Sequence, residues 1–415
     1  MFSPGWPRQN RIGHLIYVQQ KKINSTWSLN STGGAGVYHT FPCLTDPRFG
    51  LRYPGMEGLR DIRRTCPLSR GWATLSVLLL STAGYLDSLS SAQSVCGDAQ
   101  TTHIRVQDAT GVAALRAALN CAGSGEVEAE WAGYVSIGAP IEVGEGTYLS
   151  VTGADGVAEV HGVASQSNGT RLFEVYQGGG LTLTRLKLSG GSSGAGGAVY
   201  SVLANLTLEN CVFDGNAATD GSGGAVLADR GAVTIVGGEF LGNNATRYGG
   251  AVYATSSTLE VRGGSRFEGN TAVGGGALFC GGRDAGSDEV PAVCSITDAE
   301  FVINIATQES EPNMNYLIFL EGGGAAMFLL ANVNITDSYF DWNYAIFSGE
   351  ALHGGFHTKI SISGCKFGNN TSDGYAGAIS AASMTLGGGT QLSNNWAQTA
   401  GGAVSSAVPI GVPRV

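Results

Sequence analysis

The sequence predicts an all-β protein folded as a right-handed parallel β-helix, and three observations support this prediction. A Gly-Gly-Ala-aliphatic motif recurs along the chain, a Phe-x-x-Asn motif recurs in step with it, and short strands of alternating apolar residues lie between the two. Units of this kind are too short to bury an apolar face alone, so they must stack on their neighbours as the coils of a solenoid.

The glycine motif is expected to turn each coil. Its successive starts lie 25 to 27 residues apart, except for one interval of 48 in which we expect two loop insertions, between Cys280 and Cys294 and after Asn304. Glycine tolerates positive φ and close backbone approach, and a sharp corner needs both. The motif begins at Gly196, Gly223, Gly249, Gly275, Gly323, Gly349, Ala376 and Gly401, and its second glycines include Gly224, Gly250, Gly276 and Gly324.

The Phe-x-x-Asn motif is expected to fill the interior. Stacked coils place equivalent residues in columns about 4.8 Å apart, so we expect a column of rings and a ladder of hydrogen-bonded amides. Asn also tolerates the left-handed conformation of a sharp corner. The predicted ring column is Phe213, Phe240, Phe267, Phe301, Phe340 and Phe367, with Leu392 in the last unit. The predicted amide column is Asn216, Asn243, Asn270, Asn304, Asn343, Asn370 and Asn395.

Short strands and one helix complete the predicted body. The strands contain triplets such as LTL at Leu206, in which apolar residues two positions apart mark one buried face. Residues 108–120 space their apolar side chains as a helix does, with Asp or Thr as the N-cap. We expect this helix, in a capping segment 93–121, to cover the open edge of the first coil. The solenoid then spans 122–415, with motif repeats over about 196–404.

Residues 71–92 have the layout of a secretory signal peptide. An apolar run, 72–86, follows a series of arginines and precedes a small-residue cleavage site. At about 15 residues the run is shorter than a membrane span of about 20, and an uncleaved signal anchor and a buried strand are the alternatives. We expect residues 1–70 to be a poorly structured extension. If translation starts at Met56, residues 1–55 are an artefact of the gene model.

Cysteines and glycosylation sequons fit an oxidising, extracellular compartment. No Cys-x-x-Cys pair occurs and the histidines do not cluster with cysteines, so we expect no zinc site. Cys211 and Cys365 share a column several coils apart and are expected to be buried thiols. The candidate disulfides are Cys96 with Cys121 and Cys280 with Cys294. The candidate N-glycosylation sites are Asn168, Asn205, Asn244, Asn334, Asn369 and Asn370.

Charge argues against nucleic acid as a partner. Residues 71–415 hold 13 basic and 30 acidic residues, a net charge of −17, and only 13% of the whole chain is charged. A sparse, acidic body lacks the basic face that nucleic acids require. Neither a calcium-binding nonapeptide series nor a phosphate-binding loop followed by Lys-Ser/Thr occurs, so we expect no cofactor.

The paired GGAV and FxxN motifs resemble the repeats of chlamydial polymorphic outer membrane proteins, over about half of the chain. The strands before them resemble the opening coils of the pectin lyase-like β-helix superfamily. The repeat resemblance implies a secreted or surface-exposed β-helix with adhesive roles. Those bacterial proteins end in a membrane-embedded autotransporter barrel, which these residues do not supply, and similar repeats also occur in eukaryotic secreted proteins.

Few side chains have the arrangement of catalytic groups. The superfamily includes polysaccharide lyases, hydrolases, esterases and epimerases, whose chemistry needs clustered acids, often with Arg, Lys or His, on one outward face. We interpret the polar residues at turns as solvated, and His353 as a lone exposed histidine. The candidate polar positions are Asp220, Asp229, Arg230 and Arg247, with His353 and His357 in the segment HGGFH.

We therefore expect a secreted or cell-surface β-helix that acts as a non-catalytic structural or adhesive module, in the cell envelope or outer membrane if the organism is bacterial. Its partner would be a cell-wall or extracellular polysaccharide or a surface protein. The chain would not span a membrane unless residues 72–86 form an uncleaved anchor. The alternative function is a carbohydrate-active enzyme, which a cluster of Asp, Arg and His on one face would favour.

Overall fold

The chain divides into two compact units, Met1–Leu79 and Leu80–Val415. The computed structural model describes residues 26–28, 40–42, 102–163, 169–282, 291–307, 322–346, 349, 351–355, 357–399 and 401–405. In the first unit, strands Thr26–Ser28 and Thr40–Pro42 pair antiparallel. The predicted signal segment, 71–92, and most of the predicted extension, 1–70, lie outside the described residues.

The second unit is all-β, apart from one helix, and every strand in its described part pairs in parallel with its neighbours. Each coil contributes one strand to sheet A, the sheet of the LTL-type triplets, in which Leu206 pairs with Val233 of the next coil. The strands of sheet A are Thr102–Val106, Glu126–Ile137, Tyr148–Gly162, Gly180–Thr184, Asn205–Glu209, Ala232–Val236, Thr258–Arg262, Ala292–Thr297, Ala331–Thr336, Lys359–Ser363 and Met384–Gly387.

Sheet B carries the Phe residues, and its strands follow those of sheet A after a short turn. The two early strands Glu126–Ile137 and Tyr148–Gly162 are long enough to run through both sheets, with a register shift between Trp131 and Gly133. The further strands of sheet B are Lys187–Ser189, Val212–Asp214, Glu239–Leu241, Ser265–Glu268, Ala299–Val302, Tyr339–Asp341, Lys366–Gly368 and Gln391–Ser393.

Two more sheets complete each coil, sheet C with two-residue strands and sheet D with the strands that follow the glycine motif. The strands of sheet C are Ser192–Ser193, Ala217–Ala218, Asn244–Ala245, Thr271–Ala272, Ile305–Ala306, Tyr344–Ala345, Thr371–Ser372 and Trp396–Ala397. The strands of sheet D are Ile141–Val143, Phe173–Val175, Val199–Val202, Val226–Asp229, Val252–Thr255, Leu278–Gly281, Ala326–Leu329, Leu352–Gly354, Ile379–Ala381 and Val404–Ser405.

The four stacks of parallel strands are consistent with a β-helix solenoid, because equivalent residues of successive units pair with each other. Phe213 pairs with Phe240, for example, and Val226 with Val252. The long interval in the glycine motif is a single coil, since the strand Leu278–Gly281 pairs directly with Ala326–Leu329. Both expected insertions therefore leave the stacking of the strands intact.

Helix α1, Ala109–Ala122, lies between the first two strands of sheet A, where the sequence predicts a helix over 108–120. Asp108 is the N-cap, and its Oδ1 accepts hydrogen bonds from the backbone N of Thr110 and of Gly111 at 2.9 and 3.0 Å. The helix packs on both neighbouring strands and buries Val112, Leu115, Ala118 and Leu119. No helix within the described ranges is long and apolar enough to cross a membrane.

The Phe column of sheet B fills the interior between the coils. Six rings from Phe213 to Phe367 are fully buried, and consecutive rings stack face to face with centroids 4.7–4.8 Å apart and planes within 4° of parallel. This spacing is that of paired parallel strands, so each ring follows its strand.

The Asn residues form a continuous buried amide ladder. The Nδ2 of Asn216 donates to the Oδ1 of Asn243 at 3.0 Å, and the same bond repeats at 2.9–3.0 Å down to Asn395. Each Nδ2 also donates to a backbone carbonyl of sheet B in the preceding coil, as Asn243 does to Phe213. From Asn243 onward, each Oδ1 also accepts from the backbone N of the Asn in the preceding coil, and the Oδ1 of Asn216 accepts from the backbone N of Gly191.

The B–C corner is the turn between a strand of sheet B and the next strand of sheet C. The residue with a left-handed backbone conformation at this corner is the one before the ladder Asn, whereas the sequence suggested the Asn itself. The Asn stays out of this conformation because its backbone N must point along the stack to the next amide. Bulky residues seldom adopt a positive φ, and each such residue costs about 1–3 kcal/mol. The corner residues have φ between 51° and 63° and are Gly215, Gly242, Gly269, Ile303, Trp342, Asn369 and Asn394.

The two glycines of the glycine motif have different roles. The first has positive φ in each described unit, between 59° and 75°, and Ala376 adopts φ 63° in its place. At five of the second glycines, a Cβ would lie 2.0 to 2.3 Å from a carbonyl oxygen of the next coil, so a side chain would clash there. The second glycines with this contact are Gly197, Gly224, Gly250, Gly276 and Gly377, and the oxygen facing Gly276 belongs to Gly324.

Candidate functional site

The outer face of sheet B in the first coils carries a cluster of polar side chains, which we call the His161 cluster. It consists of Tyr134, Glu159, His161, Lys187, Ser189 and Asp214. The strand register sets Tyr134, Glu159 and Lys187 in one row, and His161, Ser189 and Asp214 in the next. Since side chains alternate between the faces of a strand, Glu159 and His161 lie on the opposite face from the fully buried Val160.

Hydrogen bonds tie the centre of the His161 cluster together. The Ser189 hydroxyl donates to Glu159 Oε1 at 2.5 Å, and His161 Nδ1 lies 2.9 Å from the same hydroxyl oxygen. Since the serine proton is directed to the carboxylate, its oxygen accepts from a protonated Nδ1. The Tyr134 ring lies against the imidazole, with centroids 5.3 Å apart, and is 56% exposed. The cluster therefore presents an aromatic ring to solvent beside an acid and an imidazole.

Lys187 links the two carboxylates of the cluster. Its Nζ lies 2.9 Å from Asp214 Oδ2 and 4.0 Å from Glu159 Oε1. The hydrogen bond to Asp214 raises the pKa of Lys187 above its ordinary value, so the ammonium stays charged at neutral pH. A general base must be able to lose its proton near the working pH, and Lys187 is therefore unsuited to that role. Its charge instead holds the two carboxylates in place.

The chemistry of the His161 cluster suits the binding of a hydroxyl-rich ligand. Its carboxylates accept hydrogen bonds, its ammonium donates them, and the exposed Tyr134 ring offers an apolar plane. Among the residues that the structure describes, no group of three or more His, Cys, Asp or Glu side chains could hold a metal ion. The cluster as it stands is an arrangement for hydrogen bonding, with Ser189 itself buried beneath the surface groups.

Of the polar residues singled out in the sequence, Asp229 and Arg230 form an ion pair. Asp220 and Arg247 are exposed, and Asp229 was expected at a solvated turn. This expectation is wrong, since Asp229 ends the strand Val226–Asp229, is buried, and has its Oδ2 3.2 Å from Arg230 Nη2. The strand of sheet D extends to Asp229 and carries its side chain out of solvent.

The two histidines of HGGFH also differ from the expectation. His353 was expected to be exposed, but only 7% of it is accessible, because it lies in the strand Leu352–Gly354 in register with the buried Met327. His357 sits in the turn that follows, with φ 55°. The outward-facing residues Phe279, Met327 and His353 of sheet D are therefore buried, whereas the sequence predicted an exposed His353.

The His161 cluster was missed in the sequence because its coils precede the motif repeats. Without a glycine pair or Phe-x-x-Asn to fix the register, the segments AEVHGV and LKLSGG could not be aligned. The one available signal was that Glu159 and His161 lie 28 residues before Lys187 and Ser189, close to the coil period. Alternating polar residues at one coil spacing could therefore have located this face.

The described cysteines divide into disulfide-bonded and free residues. The predicted disulfide between Cys280 and Cys294 is confirmed, and it joins the end of a sheet D strand to a sheet A strand of the same coil. Cys121 is also disulfide-bonded, while its predicted partner Cys96 lies outside the described residues. Cys211 and Cys365 are buried and carry free thiols.

The glycosylation sequons divide into accessible and inaccessible sites. Asn205, Asn244 and Asn334 are exposed, whereas Asn370 is fully buried as a member of the amide ladder. Asn370 therefore cannot be reached by a glycosyltransferase in the folded protein, although its sequon is intact. Asn369 is half-buried, and its Nδ2 donates to Asp341 Oδ1 at 2.9 Å. Asn168 lies outside the part of the chain that the structure describes.

No family model matches the chain, and none of the curated proteins compared with it is significantly similar in sequence.

Proposed function

We propose that this chain is a secreted or cell-surface right-handed parallel β-helix that serves as a non-catalytic adhesive module. The observation that carries this proposal is that the repeated residues are buried. The Phe rings, the ladder amides and the glycine pairs are buried inside the coils, so sequence repetition serves the architecture. What varies from coil to coil is the outer surface, and a long rigid surface of this kind suits binding.

The handedness and the capping role of α1 belong to the same proposal. Consecutive strands of each sheet are parallel and are joined by a full coil, and about 98% of crossover connections between parallel strands of one sheet are right-handed. Helix α1 packs on the strands Thr102–Val106 and Glu126–Ile137, at the beginning of sheet A. A helix in that place would protect the edge of the first coil from pairing with another chain.

Secretion is supported by the chemistry of the described residues. The Cys280–Cys294 disulfide is of a type that persists in oxidising compartments, and three sequons are exposed. The repeat resemblance to polymorphic outer membrane proteins points to the same surface location. The partner that we propose is an extracellular polysaccharide, because the His161 cluster combines an exposed ring with charged hydrogen-bonding groups.

Glycan binding by the purified full chain tests this function. We expect binding on an array of cell-wall and extracellular polysaccharides, with no release of new chain ends from any polymer that binds. Replacement of Tyr134 by Ala and of Glu159 by Gln reports whether the His161 cluster takes part. A chain that binds neither polysaccharides nor extracellular surface proteins would contradict the adhesive role.

A carbohydrate-active enzyme is the second candidate, and the contact of Glu159 and His161 with Ser189 is the observation that favours it. Lyases, hydrolases and epimerases use acids and bases on one face, and this face carries both. Incubation of the full chain with uronate polymers, followed by measurement of new chain ends, tests the enzyme. Cleavage that is lost on Glu159→Gln would replace the adhesive proposal with the catalytic one.

A further inference from the structure

An exposed patch of large side chains lies where sheet B turns into sheet C in the later coils. We call it the aromatic corner and define it as Ile303, Trp342, Tyr344 and Trp396. Trp342 and Tyr344 flank the buried Asn343, so both point away from the interior. Ile303 occupies the place of Trp342 one coil earlier, and its backbone N donates to the carbonyl of Asp341. Tyr344 and Trp396 belong to one column of sheet C, two coils apart.

The backbone of the aromatic corner is strained, and burial does not compensate for it. Ile303 and Trp342 hold φ at 57° and 55°, a conformation that branched and bulky residues rarely adopt. They are 49% and 60% exposed, so their side chains contribute little to the core. The three preceding coils place glycine at the same corner, as Gly242 illustrates. Folding alone would therefore favour glycine in the later coils as well, so packing does not account for Ile303 and Trp342 at this corner.

Polar groups frame the exposed rings. The Tyr344 hydroxyl donates to Asp373 Oδ2 at 2.6 Å, and this hydrogen bond raises the pKa of Tyr344 to about 12. The Asn369 amide donates to Asp341 Oδ1 at 2.9 Å. Aromatic planes beside amides and carboxylates match the apolar faces and hydroxyl groups of sugar rings. The carboxylate of Asp373 is hydrogen-bonded to this corner and that of Asp341 adjoins Trp342 in the chain, so a neutral polymer fits the corner better than an anionic one.

We propose that the aromatic corner binds a neutral polysaccharide chain that runs along the solenoid axis. Tyr344 and Trp396 are separated by two strand spacings, about 9.6 Å, so successive sugar units could contact successive coils. This inference rests on the proposed adhesive function and assigns it a binding surface and a polymer class. It places the neutral polymer at the aromatic corner, apart from the His161 cluster in the first coils.

The test compares the full chain with a Trp342→Gly variant in titrations against a neutral β-glucan, a neutral mannan and polygalacturonate. Glycine is native at this corner in three other coils, so the variant should unfold at the same denaturant concentration or a higher one. We expect the chain to bind a neutral polymer, and the variant to bind it about tenfold more weakly. Tyr148→Ala, which removes an exposed ring on sheet A of an early coil, is the matched control and should bind unchanged.

Trp396→Ala provides a second and independent variant, for which we expect a similar loss of affinity. Unchanged binding of the neutral polymer by both variants would overturn the inference and leave the adhesive function standing. The inference also fails if the chain binds only polygalacturonate, or only a surface protein. Binding to no polysaccharide and no surface protein would instead remove the proposed function itself.

Discussion

Each amide in the middle of the ladder uses its full hydrogen-bonding capacity. The Nδ2 of Asn243 donates to the Phe213 carbonyl and to Asn270 Oδ1, and its Oδ1 accepts from the backbone N and the Nδ2 of Asn216. A carboxamide has two donor hydrogens and two acceptor lone pairs, and all four are satisfied here. Buried polar groups are costly when unpaired, so the ladder is stabilising only while it is complete.

Replacement of Asn243 by Ala should lower the free energy of unfolding by about 3 kcal/mol. The change leaves the buried Asn216 backbone N without its acceptor, at a cost of about 1–3 kcal/mol. It also removes one hydrogen bond each from the Asn216 amide and the Phe213 carbonyl, at about 1 kcal/mol each. Asn244→Ala is the matched control. The Asn244 side chain is exposed, so its removal should change the free energy of unfolding by less than about 0.5 kcal/mol. Urea unfolding measures both, and equal effects would mean that the ladder contributes no stability.

The Cys211 thiol makes stability depend on pH in the alkaline range. Burial raises the pKa of Cys211 from 9.0 to about 11. Below pH 9 both states keep the proton, and between pH 9 and 11 only the folded state does, so stability falls as pH rises. We expect Cys211 to account for a loss of about 2 kcal/mol by pH 11. Unfolding of wild type and Cys211→Ala at pH 8 and pH 10.5 measures it, and parallel losses in the two proteins would contradict this role.

The sequence predicted the buried positions of the repeat better than its corner conformations. Phe240 and Asn243 recur because each must match its copy in the neighbouring coil, so the requirement leaves a repeated letter in the sequence. The left-handed corner is occupied by Gly242, Trp342 and Asn369 in different coils. These residues share a backbone conformation and no side-chain chemistry, and a sequence pattern cannot reveal such a requirement.

At the scale of elements, each glycine pair joins sheet C to sheet D within limits set by the next coil. A Cβ on Gly250 would lie 2.0 Å from the Gly276 carbonyl oxygen and 2.5 Å from that of Thr271. Gly249 has φ 63°, so the first glycine meets a conformational requirement and the second a steric one. The pair is therefore a close contact between coils as well as a turn.

Gly250→Ala should destabilise the protein far more than Gly242→Ala. The Cβ on residue 250 meets backbone atoms that cannot move without separating two coils, and we expect a loss of more than about 3 kcal/mol. At Gly242 no atom lies within 4 Å of the added Cβ, and only the positive φ costs about 1 kcal/mol. Thermal unfolding of the two variants gives the comparison. Similar midpoints would show that the coils can separate locally to admit a methyl group.

The sequence predicted the strands of the motif region, whereas the His161 cluster depends on coils that carry no motif. In those coils the strand Tyr148–Gly162 runs through two sheets, and its partner Glu126–Ile137 shifts register near Gly133. A register shift moves every later side chain relative to its neighbours. The 28-residue spacing relates Glu159 and His161 to Lys187 and Ser189, whereas the pairing of Tyr134 with Glu159 depends on the register shift, which spacing does not reveal.

At the scale of the second unit, the Cys280–Cys294 disulfide adds a covalent link to a stack held by packing and hydrogen bonds. The disulfide connects Cys280 of sheet D to Cys294 of sheet A, and both residues are buried. The loop between them is one of the two insertions that enlarge this coil. The disulfide limits the freedom that the insertion would give the unfolded chain.

Removal of this disulfide by Cys280→Ala with Cys294→Ala should lower the free energy of unfolding by about 3 kcal/mol, the chain-entropy value for a loop of this length. The loss arises mainly because the unfolded chain gains freedom. Cys211→Ala controls for the loss of a buried sulfur without a bridge. Guanidinium unfolding under oxidising conditions measures the difference, and a double variant as stable as its control would assign the bridge no stabilising role.

The amide ladder also gives the stack an electrical direction. Every side-chain bond in it runs from an Nδ2 to the Oδ1 of the following coil, from Asn216 to Asn395, so the amide dipoles add along the axis. One face of any coil thus offers amide hydrogens and the other offers oxygens. Two such stacks could extend one another only head to tail, since a reversed neighbour would bring like groups together.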